Sequence, residues 1–179
     1  DQRPESGETH LALAHHLYWA YRNYDQAKEE LAIARSSLPN ESRIPLLTGY
    51  IDRRQGNWEE SLEEMKQALE LDPHNFSILQ QISLTYQSLR RYEEALSTLD
   101  GVLAIAPKDA ASKVRRAWVA AEWHADLKPL HTTIETVLAE DPSALPVIVY
   151  RWLDLALRER DPAAAERALS AMPVGGCYE

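Results

Sequence analysis

The sequence predicts an all-α fold, a solenoid of about five helix–turn–helix units. Prolines 39, 73, 107 and 142 stand 34, 34 and 35 residues apart, and each closes a segment with a helical pattern of apolar residues. A fixed period of about 34 residues marks stacked helical hairpins. Within that period, position 16 reads Asn23, Asn57, Arg91, Asp126 and Asp161, four of which are helix N-cap residues. Position 20 is small in most units, with Ala27, Ser61, Ala95 and Ala165, which lets paired helices approach closely.

The chain 1–179 reads as one array with units at 8–41, 42–75, 76–109, 111–144 and 146 to about 172, and a tail at 173–179. In the first unit Asn23 precedes the second helix, Gln26 follows it by three residues as in a capping box, and Ala34 repeats the small pattern. The second unit repeats this with Asn57, Trp58, Glu60, Ser61 and Ala68. The third keeps Tyr92, Ala95 and Val102 but has Arg91 at the cap. The fourth begins after an extra residue, Ala110, and carries Asp126, Leu127, Val137 and an exceptional Leu130. The fifth has Asp161 followed by Pro162 at the first helical position, where a missing N–H costs nothing. Polar clusters PNES, PHN, PKDAAS and EDPSA separate the units. Turns are expected near 22–24, 39–42, 56–57, 73–76, 90–91, 107–111, 125–127, 141–146 and 160–162.

Composition narrows the function. At 45% hydrophobic and 26% charged, the chain can bury a core. No apolar run reaches the roughly 18–20 residues that span a bilayer. The opening DQRPESGETH has no signal-peptide pattern and reads as part of something longer. Cys177 is the single cysteine, which suits a reducing, cytoplasmic setting. The net charge of −9 argues against a nucleic-acid binder. The basic residues are mostly arginine, 14 against 5 lysines.

Catalytic chemistry finds no foothold. His15 and His16 are helix neighbours whose side chains diverge, and His124 and His131 flank a turn. There is no HExxH and no CxxC, so no metal is expected. Cys177 has no histidine near it in sequence, and Gly175-Gly176 is too short to cradle a phosphate. Paired acids such as Glu29-Glu30, Glu59-Glu60, Glu63-Glu64 and Glu93-Glu94 fall in second helices and read as a solvated face. The expectation is a non-enzymatic chain without cofactor.

The segment TGYIDRRQGNWEESLEEMKQALELDPHN resembles a tetratricopeptide repeat, with Gly49, Gly56, Trp58, Ala68 and Pro73 matching the family pattern. The resemblance runs over about residues 8–172. It departs at Asp52, where the family usually has Tyr, as Tyr18 and Tyr86 do in units 1 and 3, and at Trp118, where a Gly or Ala is usual. Irregular packing or a changed twist is therefore expected near unit 4. RRQGNWEES and LRRYEEAL are similar to repeat regions of bacterial signalling and regulatory proteins. The family resemblance implies about ten antiparallel helices, a right-handed superhelix, and first helices lining a concave face.

Placing the family's concave positions on this sequence yields a candidate partner-binding face: Trp19, Arg43, Tyr50, Arg53, Arg54, Gln80, Gln81, Gln87, Arg115, Arg116, Trp123, Tyr150, Arg151 and Arg158. Seven of the 14 arginines fall on this face against two acids, Glu122 and Asp154. Guanidinium forks take carboxylates, glutamines take backbone amides, and rings cover apolar side chains, so the implied ligand is an extended, acidic or mixed peptide. Of the positions that grip a terminal carboxylate in one subset of the family, only Arg116 carries a matching residue; Leu46, Tyr50, Gln81 and Ser112 occupy others. The leading expectation is a scaffold-type protein-interaction module. Self-association through end faces is the alternative. RNA binding is a weaker one, since units 1 and 3 place no basic residue on the face.

Overall fold

The computed structural model describes residues 6–172, and all its regular structure is helical. The tail 173–179, with Gly175, Gly176 and Cys177, lies outside the described residues. Backbone contacts divide the chain into two compact units, Asp1–Arg90 and Arg91–Glu179. The boundary falls at a turn inside the third sequence repeat.

Unit 1 holds α1 (Gly7–His16), α2 (Tyr24–Ser37), α3 (Arg43–Gln55), α4 (Trp58–Leu71) and α5 (Phe76–Ser88). Ser6 starts α1 by accepting a hydrogen bond from the Thr9 amide, and Asn23 does the same for α2 through the Gln26 amide. The small residues do the expected work: Ala27, Ala34 and Ala68 are fully buried where helices cross. Leu11, Leu31, Ile44, Leu47 and Ile51 close around Ala27 and Ala34. Gly49 permits a close approach of α3 and α4, because a Cβ there would stand 2.9 Å from Met65 Cγ and 3.0 Å from the Ser61 carbonyl oxygen.

Unit 2 holds α6 (Tyr92–Ile105), α7 (Ala110–His124), α8 (Lys128–Glu140), a 3₁₀ turn (Pro142–Ala144), α9 (Leu145–Glu159) and α10 (Pro162–Ser170). Val114, Trp118, Leu130, Ile134 and Ile148 form its main core, and Ala156, Ala164 and Ala165 a smaller one under the last hairpin. Ala95 is fully buried, and Asp161 caps α10 through the Ala164 amide as expected. Asp126 does not start α8; the cap is Leu127. The residue three beyond Asp126 is Pro129, which has no N–H to offer, so the Asp126 carboxylate accepts instead from the Lys128 amide.

One backbone feature repeats in phase with the sequence period. Position 15 of every repeat is left-handed: φ is 53° at Arg22, 85° at Gly56, 58° at Arg90, 55° at Ala125 and 56° at Arg160. This residue ends the first helix of each hairpin and turns the chain into the second. Glycine occupies only one of the five sites.

Candidate partner-binding face

In unit 1, α1 ends in a single π turn, Leu17–Tyr21. The Arg22 amide closes it on the Leu17 carbonyl. Widening the helix here buries Leu17 and Tyr18 and leaves Trp19 at 61% and Tyr21 at 67% exposure. Such turns recur at functional sites. Tyr18 then acts as a hub. Its ring meets Trp19 edge-on at 4.9 Å and lies 6.4 Å from Tyr50 of α3. Its hydroxyl accepts from Arg54 Nε at 3.4 Å.

Arg53, one turn beyond Tyr50 on α3, places its guanidinium 5.4 Å from the Tyr50 ring centre. It also donates to Gln81 Oε1 at 3.0 Å and to Thr85 Oγ1 at 3.3 Å on α5. Burial pushes the Arg53 pKa down, while the Tyr50 and Tyr18 rings favour the cation. Burial also pushes the Tyr50 phenol up, with Arg53 pulling it the other way. Arg54 is exposed, and the hydrogen bond it donates to the Tyr18 hydroxyl raises its pKa. Trp19, Tyr50, Arg53, Arg54 and Gln81 are thus drawn into one cluster. Gln80 and Gln87 sit half-buried on α5.

Arg43 is held elsewhere. At the start of α3 it pairs with Glu41 at 2.8 Å and Glu8 at 3.2 Å. Its hydrogen bond holds the Glu41 carboxyl down to about 2.

Unit 2 uses its arginines differently. Trp118 is 3% exposed, and its indole N–H donates to Glu122 at 2.8 Å. Arg151 and Arg158, two turns apart on α9, bring their guanidinium carbons to 4.8 and 4.7 Å from that ring. They cover a buried indole, a cation–π arrangement. Arg116 is ion-paired with Asp100 of α6. Arg115 is half-buried on α7. Trp123 stacks on His124 at 4.5 Å and on Tyr92 at 6.4 Å. Tyr150 is exposed on α9.

Two residues absent from the expected set gather its members within their own units: Tyr18 in unit 1 and Trp118 in unit 2. Both had a sequence signal. Tyr18 occupies the recurrent tyrosine position, and Trp118 stands where a small residue is usual. Among the described residues no group of His, Cys, Asp and Glu could hold a metal ion, and no helix is long and apolar enough to cross a membrane.

A family profile described as tetratricopeptide repeat matches residues 53–116. The in-phase hairpins extend the same pattern on both sides of that match. The chain has the tetratricopeptide repeat fold, and its residues 53–116 match the family itself. It is 31% identical over 80 residues to Protein O-mannosyl-transferase F38B6.6 of Caenorhabditis elegans, covering 45% of this chain and 12% of that protein. It thus spans about an eighth of the relative's length. Among solved structures it resembles PilF of Pseudomonas aeruginosa, with 20% identity, a TM-score of 0.74, and coverage of 100% of this chain and 80% of that one. It also resembles the first tetratricopeptide domain of Spaghetti (RPAP3) bound to the HSP90 peptide SRMEEVD, with 14% identity, a TM-score of 0.59, and coverage of 65% and 92%. At these identities the structural likeness concerns the fold.

Proposed function

We propose that this chain is a non-enzymatic interaction module that binds an extended, acidic or mixed peptide, anchored by the Trp19–Tyr50–Arg54 cluster of unit 1. The observation that carries the reading is a tryptophan left 61% exposed on the π turn, packed on the same Tyr18 whose hydroxyl accepts from the exposed Arg54. The ring offers apolar contact and the guanidinium takes a carboxylate. A tetratricopeptide neighbour that was solved with a bound peptide supports it. Arg53 supports the cluster from beneath, since Gln81 and Thr85 already hold it. We read the chain as part of a larger bacterial regulatory protein in the cytoplasm, from the character of its repeats and its single thiol.

The test is a peptide array probed with labelled protein, followed by calorimetry on the best binder. Trp19→Ala combined with Arg54→Glu should weaken a micromolar complex by tenfold or more, about 1.4 kcal/mol, with an unchanged helical melt. Equal affinity in the double variant overturns the anchor.

Self-association is favoured by a different observation. Leu157 and Leu169 of the last hairpin stand 61% and 55% exposed. Light scattering on Leu157→Lys with Leu169→Lys, against the unaltered chain, decides that reading.

A further inference from the structure

The positive charges of the unit 1 cluster have no negative counterpart within the chain. Arg53 gives its hydrogen bonds to the Gln81 carbonyl, to Gln81 Oε1 and to Thr85 Oγ1. Arg54 gives its one to the Tyr18 hydroxyl. Every one of these acceptors is neutral, and among the described residues neither guanidinium meets a carboxylate. Three other arginines of the expected face do meet one: Arg43 pairs with Glu41 and Glu8, Arg116 with Asp100, and Arg151 with Asp154. Acids are not scarce in a chain of net charge −9, so the pair on α3 stands out.

Arg53 is half-buried, and a cation drawn out of water needs a counter-charge or a polar shell to offset the lost hydration. Its shell is an amide, a carbonyl, a hydroxyl and the face of the Tyr50 ring. The charge of Arg54 works against it and pushes the Arg53 pKa further down, with no acid to oppose that push. An anion arriving here relieves a repulsion as well as forming bonds. Room for such bonds remains. A guanidinium has five N–H donors, and Arg54 uses only Nε, so both ends of its exposed fork stay open to solvent. That fork takes two oxygens of one group. A single carboxylate balances one of the two cations. A phosphate monoester brings about −1.5 to −2 charges and three acceptor oxygens on one compact group. Two acidic residues bring the same charge, but each has to be fixed from its own backbone position at a cost in rotamer freedom. Trp19, edge-on to Tyr18 at 4.9 Å, offers the apolar surface for a flanking residue.

We propose that the unit 1 cluster recognises a phosphorylated side chain of its partner segment, with Arg54 gripping the phosphate and Arg53 supplying the second positive charge from beneath. This rests on the reading of the cluster as the peptide anchor. It makes the complex responsive to phosphorylation of the partner, because the unmodified hydroxyl leaves both cations unbalanced.

The experiment is amide NMR on the isotopically labelled chain, titrated with capped Ala-Leu-X-Leu-Ala peptides in which X is phosphoserine, glutamate or serine. A peptide with two adjacent glutamates at X and inorganic phosphate form separate arms. The expected result is shifts at Trp19, Tyr50 and Arg54, with the phosphoserine peptide held about tenfold or more tighter than the glutamate one. Arg54→Gln should bring those two peptides to the same affinity. Arg53→Gln, which keeps an amide for Gln81, should narrow the gap. Should Arg53→Gln fail to fold, the exposed Arg54→Gln decides. Equal affinity for phosphoserine and glutamate overturns the phosphate and leaves the peptide anchor standing. The proposal also falls if the two-glutamate peptide or inorganic phosphate binds as tightly as the phosphopeptide, or if the preference survives Arg54→Gln. No shift at Trp19 with any peptide overturns this proposal and the anchor together.

Discussion

The Ser61 hydroxyl donates a 2.7 Å hydrogen bond to the Gly49 carbonyl, stitching α4 to α3. Both residues are buried, and a Cβ on Gly49 would stand 3.0 Å from the Ser61 carbonyl oxygen. Gly49→Ala should cost about 1–3 kcal/mol, because the new methyl meets a carbonyl that cannot move aside. Ser61→Ala should cost about 1 kcal/mol for the lost bond. Urea melts of the two variants check both values. A Gly49→Ala melt superimposable on the parent's would show that the helices can separate freely.

The left-handed position 15 gives a prediction with two signs. Nothing lies within 4 Å of a Cβ built on Gly56, so Gly56→Ala carries only the backbone penalty, about 1 kcal/mol. Ala125 holds the same conformation with its Cβ in place. Ala125→Gly should therefore stabilise by about 0.5–1 kcal/mol despite adding flexibility to the unfolded chain. Thermal or urea melts should move in opposite directions for the two variants.

Trp118 and its two arginines predict coupling. Trp118→Ala should cost about 3–5 kcal/mol through the cavity it leaves. Arg158→Met keeps much of the apolar cover and loses the charge. A double-mutant cycle of Arg158→Met with Trp118→Leu should return about 0.5–1 kcal/mol of interaction. A coupling of zero would mean that the arginine contributes cover alone.

Two histidines should make stability pH-dependent in opposite senses. The His131 pKa is raised, chiefly by its hydrogen bond to Glu159 and further by Glu135. Its folded value lies above the unfolded one, near 6.5, so its contribution is complete below about 6.5 and fades as pH rises through the folded value. His131 is partly exposed, and the effect should stay within about 0.2–1 kcal/mol. The His15 pKa is lowered, first by burial and then by Arg43. Its contribution is complete above about 6.5 and is lost as pH falls through its folded value. Melts of His131→Gln and His15→Gln across pH 5 to 8 should each remove one of the two slopes.

The helices were legible because their signals are local. Asn23 and Asp161 cap with their own side chains, Pro162 opens its helix from the first position, and Ala27, Ala34 and Ala68 mark crossings by size alone. Asp126 was misread because a cap also depends on the third residue ahead, and there that residue is proline. The arginines show where local signals end. Position in the repeat assigned Arg54 and Arg158 to the same face. Arg54 stands exposed with its Nε on the Tyr18 hydroxyl, whereas Arg158 lies over the Trp118 ring.

Sequence by itself determined the period, the hairpins and the buried small residues, since each follows from backbone preference and side-chain volume within one repeat. Only the tertiary structure decided which charges are spent inside the protein. Arg43 meets Glu8, Arg116 meets Asp100, and Asp52 meets Lys28, each pair across two helices of different repeats. A long cationic side chain can reach several neighbours from one backbone position. Its choice depends on which carboxylate or ring the packed helices bring within a few ångströms, and that distance is written in no single repeat.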